Sequence, residues 1–256
     1  MDLQNNMKPY LSIIVSAYNE SENIRKGCLD VMWDYLKTQK YAWEIIIVND
    51  GSSDETLVLL HQFSAKKPNI KIIDNTHQGK ASGILTGGLE ASGDVILFTD
   101  LDQATPISEL PKLLEKINNG FDIAIGSRSD RKGAPLFRYI LAYGNVILRT
   151  LILRLPFMDT QCGFKLIRAN AAKKIFTMMR KLRPVVTVEG PAVDPGFDVE
   201  LLYLGRKWGY KICEVPVIWH HKETRRVRFW YDMISGIKGL LLVRWRSISN
   251  IYELHR

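Results

Sequence analysis

Five short apolar runs, rich in β-branched residues, punctuate the first half of the chain: Leu11–Ala17 (LSIIVSA), Trp43–Asn49 (WEIIIVN), Ile70–Asp74, Val95–Thr99 (VILFT) and Phe121–Gly126. Each is too short for a stable helix, and Leu11–Ala17 and Trp43–Asn49 are too uniformly apolar for a strand with one wet face. Those two predict strands buried on both faces, and the others predict further strands. Helical patterning fills the gaps: Ser21 to about Lys37, a stretch capped by Ser53 or Asp54 and running to about Ala65, the 79–91 region, and Pro106 to Asn118. Strand and helix in alternation predict an α/β fold with a doubly wound, mainly parallel sheet and flanking helices. The second half is less regular. It predicts a long helix over Phe137–Leu155, a strand over Phe164–Arg168, a helix over Asn170–Met179, a mobile Pro-, Gly- and Val-rich loop over 180–196, a helix over Phe197–Trp208 and a late strand over Lys211–Val217. The tail, Trp230–Trp245, is amphipathic or nearly apolar.

In a parallel sheet ligands sit beyond the carboxyl ends of the strands, and the polar residues of this chain gather there. Asp100-Leu101-Asp102 follows the fourth strand, and two carboxylates one residue apart suit a shared hard cation, with phosphate and water filling its other positions. Ser16-Ala17-Tyr18-Asn19-Glu20 follows the first strand. It lacks the Gly-x-Gly-x-x-Gly of a dinucleotide site and offers instead an aromatic ring and polar groups for a base and ribose. Asp50 ends the second strand and is suited to accept hydrogen bonds from a base or ribose. Gln78-Gly79-Lys80 opens a helix, where Gly79 permits close backbone approach and Lys80 adds charge to the positive end of the helix dipole.

Charge sharpens the picture at the other end. The chain carries 35 basic and 27 acidic residues, a net +8. Residues 1–205 hold 24 and 23 of these, and residues 206–256 hold 11 and 4, so the basicity belongs to the tail. It favours phosphates, anionic lipid or nucleic acid; no recognisable nucleic-acid motif accompanies it, so a basic nucleic-acid-binding module is the least favoured reading and nucleic acid is not an expected partner. The cysteines, Cys28, Cys162 and Cys213, have no metal-ligand spacing and suit a reducing compartment. The N-terminal MDLQNNMKPY has no apolar leader pattern. The best spanning candidate, 139–158, is interrupted by Arg149 and Arg154, so the chain is expected to touch a membrane without crossing it.

The four strand-end motifs in this order resemble the family-2 glycosyltransferases of GT-A fold. Asp159-Thr160-Gln161-Cys162-Gly163-Phe164-Lys165-Leu166, Phe197-Asp198-Val199-Glu200-Leu201-Leu202 and Gly209–Val217 (GYKICEVPV) are similar to motifs of its dolichyl- and polyprenyl-phosphate hexosyltransferases. The resemblance implies an inverting transfer of a hexose, with glucose from UDP-glucose favoured, to a polyprenyl or dolichyl phosphate, with Mg²⁺ or Mn²⁺ as cofactor. Ala17, Tyr18, Glu20, Asp50, Gly79 and Lys80 would hold the nucleotide. Asp100 and Asp102 would bind the metal and, with Leu101, the sugar nucleotide. Gln103, directly after Asp102, departs from the family's usual spacing of a further ligand. Asp102, Arg128, Asp159 and Glu200 stand as catalytic candidates. Arg128, with Arg138, would grip the acceptor phosphate, and Gln161 would position acceptor or sugar. Asp198 and Glu200 lie on different faces of one helix, so at most one reaches the site. A basic loop with Lys222, Arg225, Arg226 and Arg228 would close over the diphosphate.

The same resemblance implies a catalytic domain over 1–217, with a nucleotide half about 8–128 and an acceptor half about 129–217, followed by a basic loop and amphipathic tail over 218–256. It implies a protein peripheral on the cytoplasmic face of a membrane, docked through its C-terminal helices. A transferase acting on a hydroxyl acceptor is the alternative. It needs a general base, for which Asp159, Asp198 or Glu200 would serve.

Overall fold

The computed structural model describes residues 8–128, 136–190, 194–220 and 229–254. Its first half repeats a strand–helix unit: β1 (Leu11–Ala17), α1 (Ser21–Arg25) and α2 (Cys28–Lys37), β2 (Trp43–Asp50), α3 (Thr56–Ser64), β3 (Ile70–Asn75), α4 (Lys80–Glu90), β4 (Val95–Asp100), α5 (Leu110–Asn118) and β5 (Ile123–Ser127). The second half holds α6 (Leu136–Leu153), β6 (Lys165–Arg168), α7 (Ala169–Leu182), α8 (Pro195–Lys207), β7 (Ile212–Pro216), α9 (Phe229–Ile248) and α10 (Ile251–Leu254).

One seven-stranded sheet runs β3-β2-β1-β4-β6-β5-β7. All its pairings are parallel except those of β6, which lies antiparallel between β4 and β5. Side chains alternate across the strands. Ile14, Ile46, Val48, Ile96 and Phe98 pack beneath α4, α7 and α8, while Leu11, Ile13, Val15, Ile45, Ile47 and Leu97 pack beneath α2, α3 and α5. Both faces are therefore dry at the centre of the sheet, while the outer strands β3 and β7 are only partly buried, and each fully buried Ile or Leu contributes about 1.5–3 kcal/mol of burial free energy.

Several element boundaries differ from the sequence expectation. The helix expected from Ser21 to Lys37 breaks at Gly27, whose φ of +80° ends α1 and starts α2 a turn later; glycine adopts that backbone at little cost. The stretch expected as one helix from Pro106 opens as a 3-10 turn over Ile107–Glu109. Helix α8, expected from Phe197, starts two residues earlier at Pro195, where Asp194 caps it by accepting the Gly196 N–H at 2.9 Å.

The register of β1, β2 and β4 sets Ala17 opposite Asn49 and Ser16 opposite Asp100. Ser127 closes β5 beside Pro216. The ends of β1, β2, β4 and β5 thus share one edge of the sheet.

Candidate active site

Asp50 is fully buried at the end of β2. Its carboxylate accepts the backbone N–H groups of Gln78 and Gly79, both at 2.8 Å, and lies 2.8 Å from His77 Nδ1. It thereby fixes the loop that leads from β3 into α4. The Tyr18 ring stacks on His77 with centroids 3.9 Å apart and planes 8° from parallel. Asn19, with φ +54°, accepts the Ser53 N–H at 2.9 Å, and the Ser52 hydroxyl accepts the Asn19 N–H at 3.0 Å. The exits of β1 and β2 are tied together by these bonds. The cap expected at Ser53 or Asp54 is not made: α3 starts from Glu55 with no side-chain cap, Ser53 is bonded to Asn19, and Asp54 accepts the Thr56 N–H at 3.0 Å and the Ser21 N–H at 3.3 Å, bonds that outweigh its partial burial and hold it down to about 2.

Asp100 ends β4 in an ionic cluster. Lys80, from the first turn of α4, bonds Asp100 Oδ1. Burial alone would raise the Asp100 carboxyl, but Lys80, Lys165 and Arg128 outweigh it and hold the group below the ordinary carboxylate range. Burial would likewise lower Lys80, and Asp100 reverses that. Gly163 lies against this carboxylate: a Cβ there would stand 2.4 Å from Asp100 Oδ2, so only glycine leaves the group room. Asp102 Oδ1 accepts the Ala104 N–H at 2.9 Å. Gln103, also at φ +54°, spends its amide on Ile107 N–H at 3.1 Å and the Asp100 carbonyl at 3.2 Å. It braces the turn. Backbone of this kind outside glycine is strained and recurs at functional sites. Burial pushes Glu20 above its ordinary value; the Asn23 amide pulls the other way, and the charges of Asp102 and Asp100 add to the rise.

Among the described residues no three His, Cys, Asp or Glu side chains converge. A divalent ion here would therefore take two protein carboxylates, Asp100 and Asp102, which is the mode Mg²⁺ commonly uses beside a phosphate. The glycine-sized space at Gly163 and the Lys80 ammonium on Asp100, itself a cation, fit that use.

Across β6 stands a second ion pair. Arg128 donates Nε to Asp159 Oδ2 at 2.6 Å and Nη2 to Oδ1 at 2.8 Å, and its backbone N–H also reaches Oδ2, at 3.0 Å. Burial would raise Asp159, but these bonds dominate and hold it down to about 2. Glu214, on β7, accepts the backbone N–H groups of Asp159 and Met158 at 2.6 and 2.9 Å and so pins the loop. The Gln161 N–H also reaches Asp159, at 3.2 Å, while the Gln161 side chain is exposed. Lys165 is fully buried on β6, bonding the Cys162 carbonyl at 2.5 Å and Asp198 Oδ1 at 2.6 Å.

The expected role of Glu200 fails here. Its side chain is fully buried on the other face of α8, bonded by Arg183, by Arg246 Nη1 at 2.8 Å and by the Tyr252 hydroxyl at 2.7 Å. It fastens α9 and α10 to the core and does not face the acidic pair. Asp198 is the residue of that helix that turns toward Lys165 and the cluster. A cleft of about 280 Å³ lies on the Glu200 side, lined by Gln78, Arg180, Arg183, Val186, Leu242 and Arg246. Asp159, expected as a catalytic carboxylate, is committed to Arg128. Lys222, Arg225, Arg226 and Arg228 lie outside the described residues, as does the side chain of Arg138. The segment leading to that basic run is anchored beside the acidic loop: His220 N–H donates to the Ala104 carbonyl at 2.7 Å, and Ile218 N–H to Glu109 at 3.0 Å.

His77, Lys165 and Glu214 were not singled out from sequence. A charged residue inside an apolar strand run, as in CGFKLI and ICEVP, was the available signal for the last two. His77 had none, because its partners are distant in the chain.

A mainly parallel α/β sheet with one reversed strand, and an acidic pair at its ligand edge, has the GT-A fold. Residues 12–176 match the model of glycosyl transferase family 2, and the chain belongs to that family. It is 33% identical to the dolichyl-phosphate beta-glucosyltransferase of Dictyostelium discoideum, with 96% of this chain and 77% of that protein covered. It is 32% identical to the human protein of the same name, covering 96% and 78%. In fold it is similar to glucosyl-3-phosphoglycerate synthase from Mycobacterium tuberculosis, solved with Mn²⁺, UDP-glucose and phosphoglyceric acid, at a TM-score of 0.59 and 15% identity over 92% of this chain and 80% of that one.

Proposed function

We propose that this chain transfers glucose from UDP-glucose to a dolichyl-type polyprenyl phosphate, with inversion at the sugar. The observation that carries the proposal is the opposition of two charged devices on one sheet edge: the Asp100/Asp102 pair with Lys80, and Arg128 fixed by Asp159. Its relatives in two distant organisms bear the name of that activity.

In the proposed reaction a phosphate oxygen of the lipid forms a bond to the anomeric carbon. The bond from that carbon to the diphosphate breaks, and UDP leaves with the electron pair. The attacking phosphate is already ionised near neutral pH, so no strong base is required. This agrees with the side chains available. Asp159 is paired with Arg128, Glu200 is buried away from the site, and Asp198 is paired with Lys165, so the carboxylates a hydroxyl acceptor would need as base are committed. Tyr18 and Asp50 would frame the nucleotide, and Lys80 would pass from Asp100 to the diphosphate. Arg128 would meet the acceptor phosphate with a guanidinium whose orientation Asp159 and Glu214 hold, which places binding energy where charge develops. Mg²⁺ or Mn²⁺ at Asp100 and Asp102 would supply charge for the departing diphosphate.

The acceptor is a lipid, and the chain has a surface suited to a bilayer. Ile237, Leu241, Trp245 and Ile248 are exposed along α9, and Ile147 and Leu151 along α6, which packs beside it. Lys238 and Arg244 are exposed on the same helix. No helix among the described residues is long and apolar enough to cross a membrane. We place this stripe on an anionic leaflet, at the cytoplasmic face. Purified protein, UDP-glucose, Mg²⁺ and a polyprenyl phosphate in detergent should yield a glucolipid and UDP in equal amounts. Failure with UDP-glucose and with other nucleoside-diphosphate hexoses overturns the proposal.

A further inference from the structure

His77 lies in the loop between β3 and α4, nearly buried, and is held on three sides. Its Nδ1 is 2.8 Å from Asp50 Oδ2 and 2.9 Å from the Asp50 carbonyl oxygen; its Nε2 is 2.7 Å from the Gly190 carbonyl oxygen. Its own carbonyl accepts the Val188 N–H at 3.0 Å. A neutral imidazole has one nitrogen that donates and one that accepts. Both nitrogens here face oxygens that accept, so the arrangement is complete only when each carries a proton. The flat stack on Tyr18 suits a cationic ring as well.

We propose that His77 is a positively charged positioning residue, which joins Asp50, the Tyr18 ring and the 188–190 segment into one nucleotide-binding wall and releases that segment when it loses a proton. The deprotonated ring must leave one of its two acceptors unmet. The Asp50 contact is the more firmly held, since Asp50 is also fixed by Gln78 and Gly79. The Gly190 contact therefore gives way, and with it the bond from Val188.

The direction of the titration agrees with this geometry. Burial would lower His77, but the Gly190 carbonyl and Asp50 outweigh it and raise it above the ordinary imidazole value. Docking of the segment is thus complete below the unfolded value of about 6.5 and is lost as pH rises through the higher folded value. The titratable and charged groups around the ring are Asp50 from β2, Tyr18 after β1 and the exposed Glu189 on the segment; Lys80, at the start of α4, is turned to Asp100.

The charge state and the release of the segment stand without the donor assignment; their bearing on nucleotide binding rests on it. Nitrogen NMR of the full chain, without nucleotide, should show both His77 nitrogens protonated at about pH 6, with a midpoint above the ordinary 6.5. A glutamate-specific protease then reads the segment at Glu189, normalised to a free peptide of the same sequence. Cleavage should rise about tenfold between pH 6 and 8.5, as expected for loss of one charge-assisted hydrogen bond. In His77→Gln it should be fast at both values. A neutral His77 ring at pH 6 overturns the proposal, and so does cleavage of the wild-type chain that does not change with pH. Titration with UDP separates the two claims. A titrating latch in a chain that binds no UDP sinks the donor assignment alone, and normal UDP binding beside a neutral His77 sinks the latch alone.

Discussion

Arg128 and Asp159 meet through two parallel hydrogen bonds, 2.6 and 2.8 Å long, and Asp159 is at the same time bonded by the Arg128 backbone N–H. The carboxylate thus grips both ends of one residue, and its loop is gripped in turn by Glu214. That geometry makes Asp159 a holder of the guanidinium and removes it from consideration as a proton acceptor.

Replacing Arg128 by Lys keeps the charge and loses the fork. Turnover with lipid phosphate should fall about 100-fold, near 2.7 kcal/mol of transition-state stabilisation, with UDP binding little changed. Equal loss in both would assign Arg128 to the donor instead. Asp159→Asn should cost stability in a pH-dependent way. The native carboxyl sits at about 2, below the ordinary value of about 3.9, so its contribution is present above that value and lost as pH falls toward the native one. Acid unfolding of the wild type should therefore steepen in that window relative to Asp159→Asn; superimposable curves would refute it.

Asp100→Asn and Asp102→Asn should each abolish Mn²⁺ binding, followed by paramagnetic relaxation of water, while the melting temperature changes little. Gly163→Ala should weaken Mn²⁺ binding through Asp100 alone, because its methyl group would stand 2.4 Å from Oδ2. If Asp100→Asn binds Mn²⁺ as the wild type does, the acidic pair is not the cation site.

Glu200→Gln keeps the shape and removes the charge between Arg183 and Arg246. Breaking a buried pair costs about 3–5 kcal/mol, which in a chain of this size lowers the melting temperature by roughly 6–20 °C. UDP affinity of the folded fraction should stay within about twofold, since the carboxylate has no direct contact with the ligand edge. Loss of UDP binding at an unchanged melting temperature would return Glu200 to the site.

Leu241→Asp with Trp245→Asp should reduce co-sedimentation with vesicles containing phosphatidylserine by at least about tenfold. Turnover of a short-chain, water-soluble polyprenyl phosphate should persist. Unchanged co-sedimentation would remove α9 from the membrane-facing surface.

The central parallel strands β1, β2 and β4 were legible because their two-sided burial leaves an unbroken apolar run, and the ligand edge was legible because Asp50, Asp100 and Arg128 follow strands. The pairings were not. Nothing local to Lys165–Arg168 announces that β6 enters between β4 and β5 in the reverse direction. That insertion brings Gly163 under Asp100 and Asp159 beside Arg128. The helix period of 195–207 correctly separated Asp198 from Glu200, yet the partners that hold them apart, Lys165 on one side and Arg246 and Tyr252 on the other, come from elements distant in sequence.

Helix α8 is held from opposite sides by charges two residues apart, Asp198 toward Lys165 and Glu200 toward the tail. A force applied to the C-terminal helices by whatever they rest on is borne by Arg246 and Tyr252 and delivered to the same short rod that carries Asp198. The C-terminal helices and the carboxylate paired with Lys165 therefore ride on a single rigid element, so the tail and the buried lysine of β6 share one support.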